Sequence, residues 1–248
     1  MSLKERTKKY GLIGRKISYS FSPNYFAKKF KEMGVSHSYS LLDYENIEEI
    51  EKNTLKSFDG LNVTIPYKEE IIDILDELSL EARAIQAVNC IEVNENRLIG
   101  HNTDVFGFRE SIRPFLKTDH QKALILGTGG ASKAVAYVLD EMGIEYLKVS
   151  RDRDRGDCTY ADLNKNALKF FPFVINTSPV GTFPDVDSAP DIPYQFITER
   201  NFLYDLIYNP EKTEFLKRGA KKGAIVLNGL SMLIGQAEKS WEIWKKMP

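Results

Sequence analysis

The chain has 248 residues, 42% of them hydrophobic, which suits one large domain or two smaller ones with a full core. Its 34 Lys and Arg against 35 Asp and Glu leave a net charge of −1, and basic residues mostly have acids nearby, which argues against nucleic acid as a partner. No window approaches the roughly 18 apolar residues of a membrane span, and MSLKERTKKY lacks the apolar run of a signal peptide. The two cysteines, Cys90 and Cys158, are far apart and match no metal-ligand spacing, so a reducing, cytoplasmic setting without metal or membrane is expected.

Tyr10 to Gly14 reads as a first strand, ending in GRKISYSFSP, a polar turn rich in hydroxyls. Pro23 can start a helix with Ser22 as its N-cap; Phe26, Phe30 and Met33 recur at helical spacing as core positions, and Gly34 closes it. Ser18, Ser20 and Ser22 alternate before that helix. They act either as turn and cap residues or as hydroxyls presented to a polyhydroxylated ligand.

His37 to Leu42 reads as a second strand, Ile47 to Asn53 as a short helix, and Asp59 to Ile65 as a third strand leading into NVTIPYK. Pro66 stands where a helix can begin, and Glu69 to Leu78 carries a helical apolar pattern in Ile71, Ile72, Leu75 and Leu78. Asn62, Thr64 and Lys68 fall at or just past the strand's C-terminal end, where ligands of open α/β sheets bind. A cation in a helix's first turn opposes the dipole, which favours a functional reason for Lys68 over a solvated one. Ala87 to Val93 and Arg97 to Gly100 form a hairpin around Asn94-Glu95-Asn96. HNTD then precedes a helix from Val105 to Phe115; Asp104 suits its first turn, and His101 has no partner at metal spacing.

KALILGTGGAS, Lys122 to Ser132, organises the second half. A buried strand, Lys122 to Leu126, runs into a glycine turn and then a helix from Ala131 to Met142 with Gly143 as C-cap. Gly127 allows the tight turn, Gly129 lets the backbone approach a pyrophosphate, and the helix N-terminus holds the charge. Ser132 replaces the third glycine and is still small. The next strand, Tyr146 to Val149, ends at VSRDRDR, where a site for NAD carries an acid. Arg151, helped by Arg153 or Arg155, suits the 2′-phosphate of NADP; Asp152 or Asp154 suits a ribose instead.

Phe173 to Asn176, ending in NTSPVGT, Phe202 to Leu206, and Ala224 to Leu227 are further strands. Strands alternating with helices imply a parallel, doubly wound sheet with right-handed crossovers. The last helix, Ser231 to Lys246, contains Gly235. Glycine there costs about 1 kcal/mol relative to alanine, which points to close approach of another group to its backbone.

GRKISYSFSP, NVTIPYK, AVNC, NTD, GTGGAS, NTSPVG, DLIYNPEKT and NGLSMLIGQA follow one another in an order that resembles the shikimate dehydrogenase family over nearly the whole chain. The resemblance implies an N-terminal α/β substrate domain, 1–103, joined by the C-terminal helix 231–248, and a Rossmann-type NADP domain, 104–230, with the active site in the cleft between them. It implies Ser20 and Ser22 on the substrate carboxylate, Thr64, Asn89 and Gln236 on its ring hydroxyls, and Tyr208 lining the substrate end. Lys68 and Asp104 would be the catalytic pair. Gly127, Gly129, Gly130 and Ala131 would hold the pyrophosphate, Arg151 the 2′-phosphate, and Met232 would pack near the nicotinamide. The chain departs from the family at Tyr19, at Phe26-Ala27, at Ser150 and at Thr177-Ser178-Pro179, none of them a proposed catalytic group.

The implied reaction is the reversible, NADPH-dependent reduction of 3-dehydroshikimate to shikimate, a step toward chorismate and the aromatic amino acids. A lysine ammonium serves better as proton donor than as base near neutral pH. Lys68 and Asp104 are therefore expected to act as a coupled unit on the C3 oxygen and the C4 hydroxyl. The rivals are a quinate/shikimate dehydrogenase using NAD and a non-catalytic NADP-binding sensor; the second has no need of both Lys68 and Asp104. A monomer or a homodimer is expected.

Overall fold

The computed structural model describes residues 6–245. Part of the N-terminal segment read above, and the end of the expected last helix, lie outside the described residues. The chain divides into two compact units, Met1–Thr103 with Ala237–Pro248, and Asp104–Gln236.

The first unit holds β1 (Lys9–Gly14), α1 (Phe21–Met33), β2 (Ser38–Asp43), α2 (Lys52–Leu55), β3 (Gly60–Val63), β4 (Glu77–Leu78), α3 (Leu80–Ile85), β5 (Cys90–Asn94) and β6 (Arg97–His101). Its sheet has the order β2-β1-β3-β5-β6-β4. It is mixed: β1 runs parallel to β2 and β3, whereas β5 is antiparallel to β3 and β6. The β5–β6 turn places Glu95 and Asn96 at φ 47° and 64°, the left-handed pair that suits a tight hairpin. One layer of the core gathers Ile13, Leu61, Val63, Tyr67, Ile71 and Ile91. The other gathers Tyr10, Phe26 and Phe30 with Trp241 and Trp244. A side chain at Gly60 would lie 2.4 Å from the Trp244 ring, so the glycine makes room for it.

Three expectations change here. The first helix is capped by extended Ser20, not Ser22, and Pro23 sits in the first turn, where the amide has no intrahelical acceptor anyway. Met33 is 47% exposed at the end of that helix rather than in the core. The helix expected over 69–78 is a short 3-10 turn, Glu70–Ile74, followed by β4. Asp76 explains this: its amide donates to the Leu98 carbonyl at 2.9 Å and its carboxylate accepts from the Leu98 amide at 2.8 Å. That pairing draws the segment into the sheet. Lys68 therefore stands in a turn, and the helix-dipole reading of it falls away.

The second unit holds α4 (Asp104–Ile112), β7 (Lys122–Leu126), α5 (Gly130–Glu141), β8 (Glu145–Ser150), β9 (Cys158–Thr159), α6 (Lys165–Phe170), β10 (Phe173–Asn176), β11 (Phe202–Asp205), α7 (Glu214–Ala220) and β12 (Ile225–Leu227). The last helix, α8 (Leu230–Lys245), begins in this unit and ends in the first. The sheet order is β12-β11-β10-β7-β8-β9, with every pair parallel. Counted from β7, this is the doubly wound order whose switch point lies between β7 and β10. Ala123, Leu124, Ile125 and Leu126 are all fully buried, as a strand covered on both faces requires.

The expected domain division assigned the whole last helix to the first domain; by compactness its start, through Gln236, groups with the second unit. Gly107 on α4 and Gly235 on α8 account for this. A Cβ on Gly235 would lie 3.2 Å from the Gly107 Cα, and one on Gly107 would lie 2.4 Å from the Met232 carbonyl oxygen. The group approaching Gly235 is thus another helix backbone. Gly107→Ala should cost about 2 kcal/mol by overpacking. It should also lower kcat/KM about tenfold, because it pushes Gln236 and Met232 from the first turns of α4. Urea unfolding and steady-state kinetics on one variant check both; an unchanged kcat/KM would separate the helix crossing from the chemistry.

Candidate functional site

In the first unit the C-terminal ends of β1 and β3 and the start of β5 bring several of the expected residues together. Asp43 braces the serine turn by accepting from the Lys16 and Ile17 amides at 2.7 and 3.1 Å. Ser20 caps α1 by backbone alone, with no side-chain capping bond, so its hydroxyl is not used up by the helix. Ser22 is buried and hydrogen-bonds Tyr39, whose phenol burial pushes well above its ordinary pKa. A Cβ on Gly14 would lie 2.6 Å from the Thr64 methyl, so the serine turn begins against Thr64. The Thr64 amide donates to the Ile13 carbonyl at 2.8 Å.

Lys68 belongs to the same patch. Its carbonyl accepts from the Val88 amide at 2.7 Å, and the Asn89 carbonyl accepts from the Val63 amide at 2.9 Å. Main-chain bonds thus hold Thr64, Lys68 and Asn89 around one strand end. Asn89 is 3% exposed, and its Oδ1 accepts from the Thr103 amide at 2.7 Å. His101, for which no role was expected, pairs with Glu92 at 3.0 Å.

In the second unit Asp104 opens α4. Met232 and Gln236 lie on the α8 face that crosses α4 at Gly107, and both are 8% exposed. The Gln236 amide nitrogen donates to the Leu233 carbonyl at 3.0 Å.

The glycine turn sits at the switch point. Gly127 has φ 113°, a conformation that side chains rarely adopt, and a Cβ there would lie 2.9 Å from the Thr177 hydroxyl. Thr177 closes the other side by donating its hydroxyl to the Leu126 carbonyl at 2.9 Å. A Cβ on Gly129 would meet nothing within 4 Å, so the α5 N-terminus opens on free space. Its first turn, with Gly130 and Ala131, carries no acid, and Ser132 is 2% exposed in the packing the third glycine usually provides. Bare amides, a left-handed glycine and no negative charge fit a pyrophosphate. Helix α5 ends at Glu141, with Met142 as its C-cap and Gly143 at φ 67° just beyond.

At the end of β8 the competing residues sort themselves. The Asp152 carboxylate accepts from the Asp154 amide at 3.0 Å and so caps its own turn. Arg153 pairs with Asp162 at 3.0 Å. Arg151 is exposed and makes no ion pair among the described residues, which leaves its guanidinium available to a phosphate.

Asp205 was not expected to matter beyond its strand. It is fully buried at the end of β11, with Asn176 and Thr213 equally buried beside it. It accepts from the Thr213 hydroxyl at 2.6 Å, from Asn176 Nδ2 at 3.0 Å and from the Ile207 amide at 3.1 Å. These bonds tie both ends of the loop that carries Tyr208. Gly229 abuts that loop, its amide donating to the Ile207 carbonyl at 3.1 Å. Burial pushes the Asp205 carboxyl up to about 6 despite its donors. An acid raised on folding binds its proton more tightly in the native state, so stability falls as pH rises from about 4 to about 6. Asparagine mimics the protonated form. The stability of Asp205→Asn relative to the parent should therefore improve by about 2 kcal/mol between pH 4 and pH 7. Urea titrations at the two pH values measure this; a constant difference would mean that the ionised carboxylate carries no penalty.

A doubly wound parallel sheet with an open glycine turn at its switch point, in a chain with a separate mixed α/β unit carrying a threonine, lysine and asparagine at one strand end, defines a two-unit dinucleotide-binding protein. Residues 12–91 match the shikimate dehydrogenase substrate binding domain. A shikimate dehydrogenase (NADP+) of Clostridium beijerinckii is 37% identical over 251 residues, 96% of this chain and 92% of its own. The solved shikimate dehydrogenase of Thermus thermophilus, in complex with NADP(H) and shikimate, has a TM-score of 0.85 at 30% identity over 97% of this chain and 94% of its own. A quinate dehydrogenase of Corynebacterium glutamicum, in complex with NAD, has a TM-score of 0.87 at 25% identity, with 97% and 94% covered. The chain belongs to the shikimate dehydrogenase family. Among the described residues no helix is long and apolar enough to cross a membrane.

Proposed function

We propose that the chain catalyses the reversible reduction of 3-dehydroshikimate to shikimate with NADPH, in the shikimate pathway of aromatic amino-acid biosynthesis. The observation that carries the reading is the gathering of Thr64, Lys68 and Asn89 at one strand end by main-chain bonds, in a segment that matches the family's substrate domain. Ser20 and Ser22 hold the substrate carboxylate; Thr64, Asn89 and Gln236 hold its ring hydroxyls; Tyr208 lines the substrate end. Gly127, Gly129, Gly130 and Ala131 bind the pyrophosphate, Arg151 the 2′-phosphate, and Met232 packs near the nicotinamide. NADPH, when bound, supplies the hydride received at C3. The Lys68 ammonium donates the accompanying proton to the C3 oxygen, and Asp104 accepts a hydrogen bond from the neighbouring C4 hydroxyl. In the oxidation direction neutral Lys68 takes the proton of the C3 hydroxyl, and the C4 hydroxyl keeps its own throughout.

The enzyme works in the cytoplasm, where its two cysteines remain free thiols, as a monomer or homodimer. Shikimate and quinate are each offered with NADP+ and with NAD+, following reduced nicotinamide by absorbance. Rapid turnover of shikimate with NADP+ alone is expected. Comparable kcat/KM with quinate or NAD+ would assign the broader activity, for which the quinate dehydrogenase likeness speaks. Binding of NADP+ without turnover of either substrate would make the protein a sensor.

A further inference from the structure

The two ends of the Asn89 amide are not equivalent. Oδ1 accepts from the Thr103 amide at 2.7 Å and from the Thr103 hydroxyl at 3.2 Å. A backbone N–H can only donate, so the end that faces it is the oxygen and the nitrogen points away. Among the described residues Nδ2 donates to nothing, although Asn89 is 3% exposed. That nitrogen is the solvent-reached end of an otherwise buried side chain, which is where a ligand can meet it.

The polarity propagates from further back. The Asn89 carbonyl can only accept, so the end of the Asn62 amide that faces it is the nitrogen, and Asn62 Oδ1 accepts from the Tyr39 hydroxyl at 2.8 Å. Its Nδ2 then donates to the Asn89 carbonyl at 3.1 Å and to Ser240 Oγ at 2.9 Å. Thr103 Oγ1 lies 3.2 Å from Asn89 Oδ1 and 3.3 Å from Ser240 Oγ, a contact in which either hydroxyl can donate, so Ser240 braces the hydroxyl that meets Asn89. Ser240 is fully buried, Thr103 2% exposed and Asn62 4% exposed, so water does not compete for these bonds.

We propose that Ser240, on the last helix, is a positioning residue for the substrate: the chain Asn62 to Ser240 to Thr103 locks the Asn89 amide with its nitrogen toward the ligand. This subsite then takes a substrate oxygen that accepts a hydrogen bond, and a hydroxyl bound there keeps its own proton for a second acceptor. The inference rests on the reading of Asn89 as a ligand of the ring hydroxyls.

The test uses Ser240→Ala, Thr103→Val, Thr103→Ser, the Ser240→Ala/Thr103→Val double variant and Asn89→Ala in the full chain. Ser240→Ala should raise the KM for shikimate about fivefold and Thr103→Val about tenfold, with kcat and the KM for NADP+ within about twofold. Thr103→Ser should restore the parent value. Because Ser240 acts through Thr103, the double variant should match Thr103→Val alone. Multiplying effects in the double variant would make Ser240 a packing residue and overturn the proposal. So would unchanged shikimate KM in both Ser240→Ala and Thr103→Val while Asn89→Ala raises it. An unchanged KM in Asn89→Ala would instead remove the reading of Asn89 itself. If Ser240→Ala does not fold, the contrast between Thr103→Val and Thr103→Ser decides: equal KM values for the two overturn the proposal.

Discussion

Lys68→Met lowers kcat by about 10³-fold and leaves the KM for shikimate within about threefold. Methionine keeps the length and the apolar stem of the side chain and removes the ammonium alone. The backbone around it is held independently, by the bond from the Val88 amide to the Lys68 carbonyl at 2.7 Å, so the turn survives the change. What disappears, on the proposed mechanism, is the donor that neutralises the oxyanion as hydride arrives at C3. That interaction is stronger in the transition state than in the ground state and therefore appears in kcat. Asp104→Asn, which keeps the first-turn geometry of α4, should lower kcat by about 10²-fold. The double variant should be little worse than Lys68→Met, because the two groups work as one unit. A Lys68→Met enzyme with near-parental kcat and a much higher KM would make Lys68 a substrate clamp and leave the proton donor unassigned.

The strands of the second unit were legible because parallel strands covered on both faces read as apolar runs; β7 and β10 begin and end where the residue pattern places them. The glycine turn was legible for the same local reason. Segment 69–78 was not, since its apolar spacing is helical and its fate is set by Asp76 and Leu98, 22 residues apart. Helices α3, α6 and α7 are too short for periodicity to reveal them. Their starts were nonetheless marked by caps, Ser79, Asn164 and Thr213, whose side chains accept from the first-turn amides. At the site, motif residues could be named from order alone, but their supports could not. Asn62 and Ser240 are 178 residues apart. Gly235 announced a close approach without saying that Gly107 makes it. Asp205 left one signal, an acid closing the apolar strand FLYD, and only burial shows that its charge is costly.

Arg151→Ala raises the KM for NADP+ by about 50-fold and leaves that for NAD+ within about twofold, so that most of the preference between the two cofactors disappears. Three arginines and two acids crowd positions 151–155, and sequence order does not choose among them. Their partners do. Asp152 is occupied by the Asp154 amide and Arg153 by Asp162, so neither presents a free group to a ribose or a phosphate. Arg151 follows β8 directly, and its planar fork matches a phosphate with two parallel bonds. Arg151→Lys should recover only part of the loss, since an ammonium meets the phosphate as a point charge. Arg153→Ala is the internal control: it breaks the bond to Asp162, so it should loosen the turn with little effect on cofactor choice. An NADP+ KM that responds to Arg155→Ala and not to Arg151→Ala would move the phosphate contact four residues along. A parental enzyme already using NAD+ at comparable kcat/KM would mean that Asp152 leaves its cap when cofactor binds, and Asp152→Ala would then abolish the NAD+ reaction.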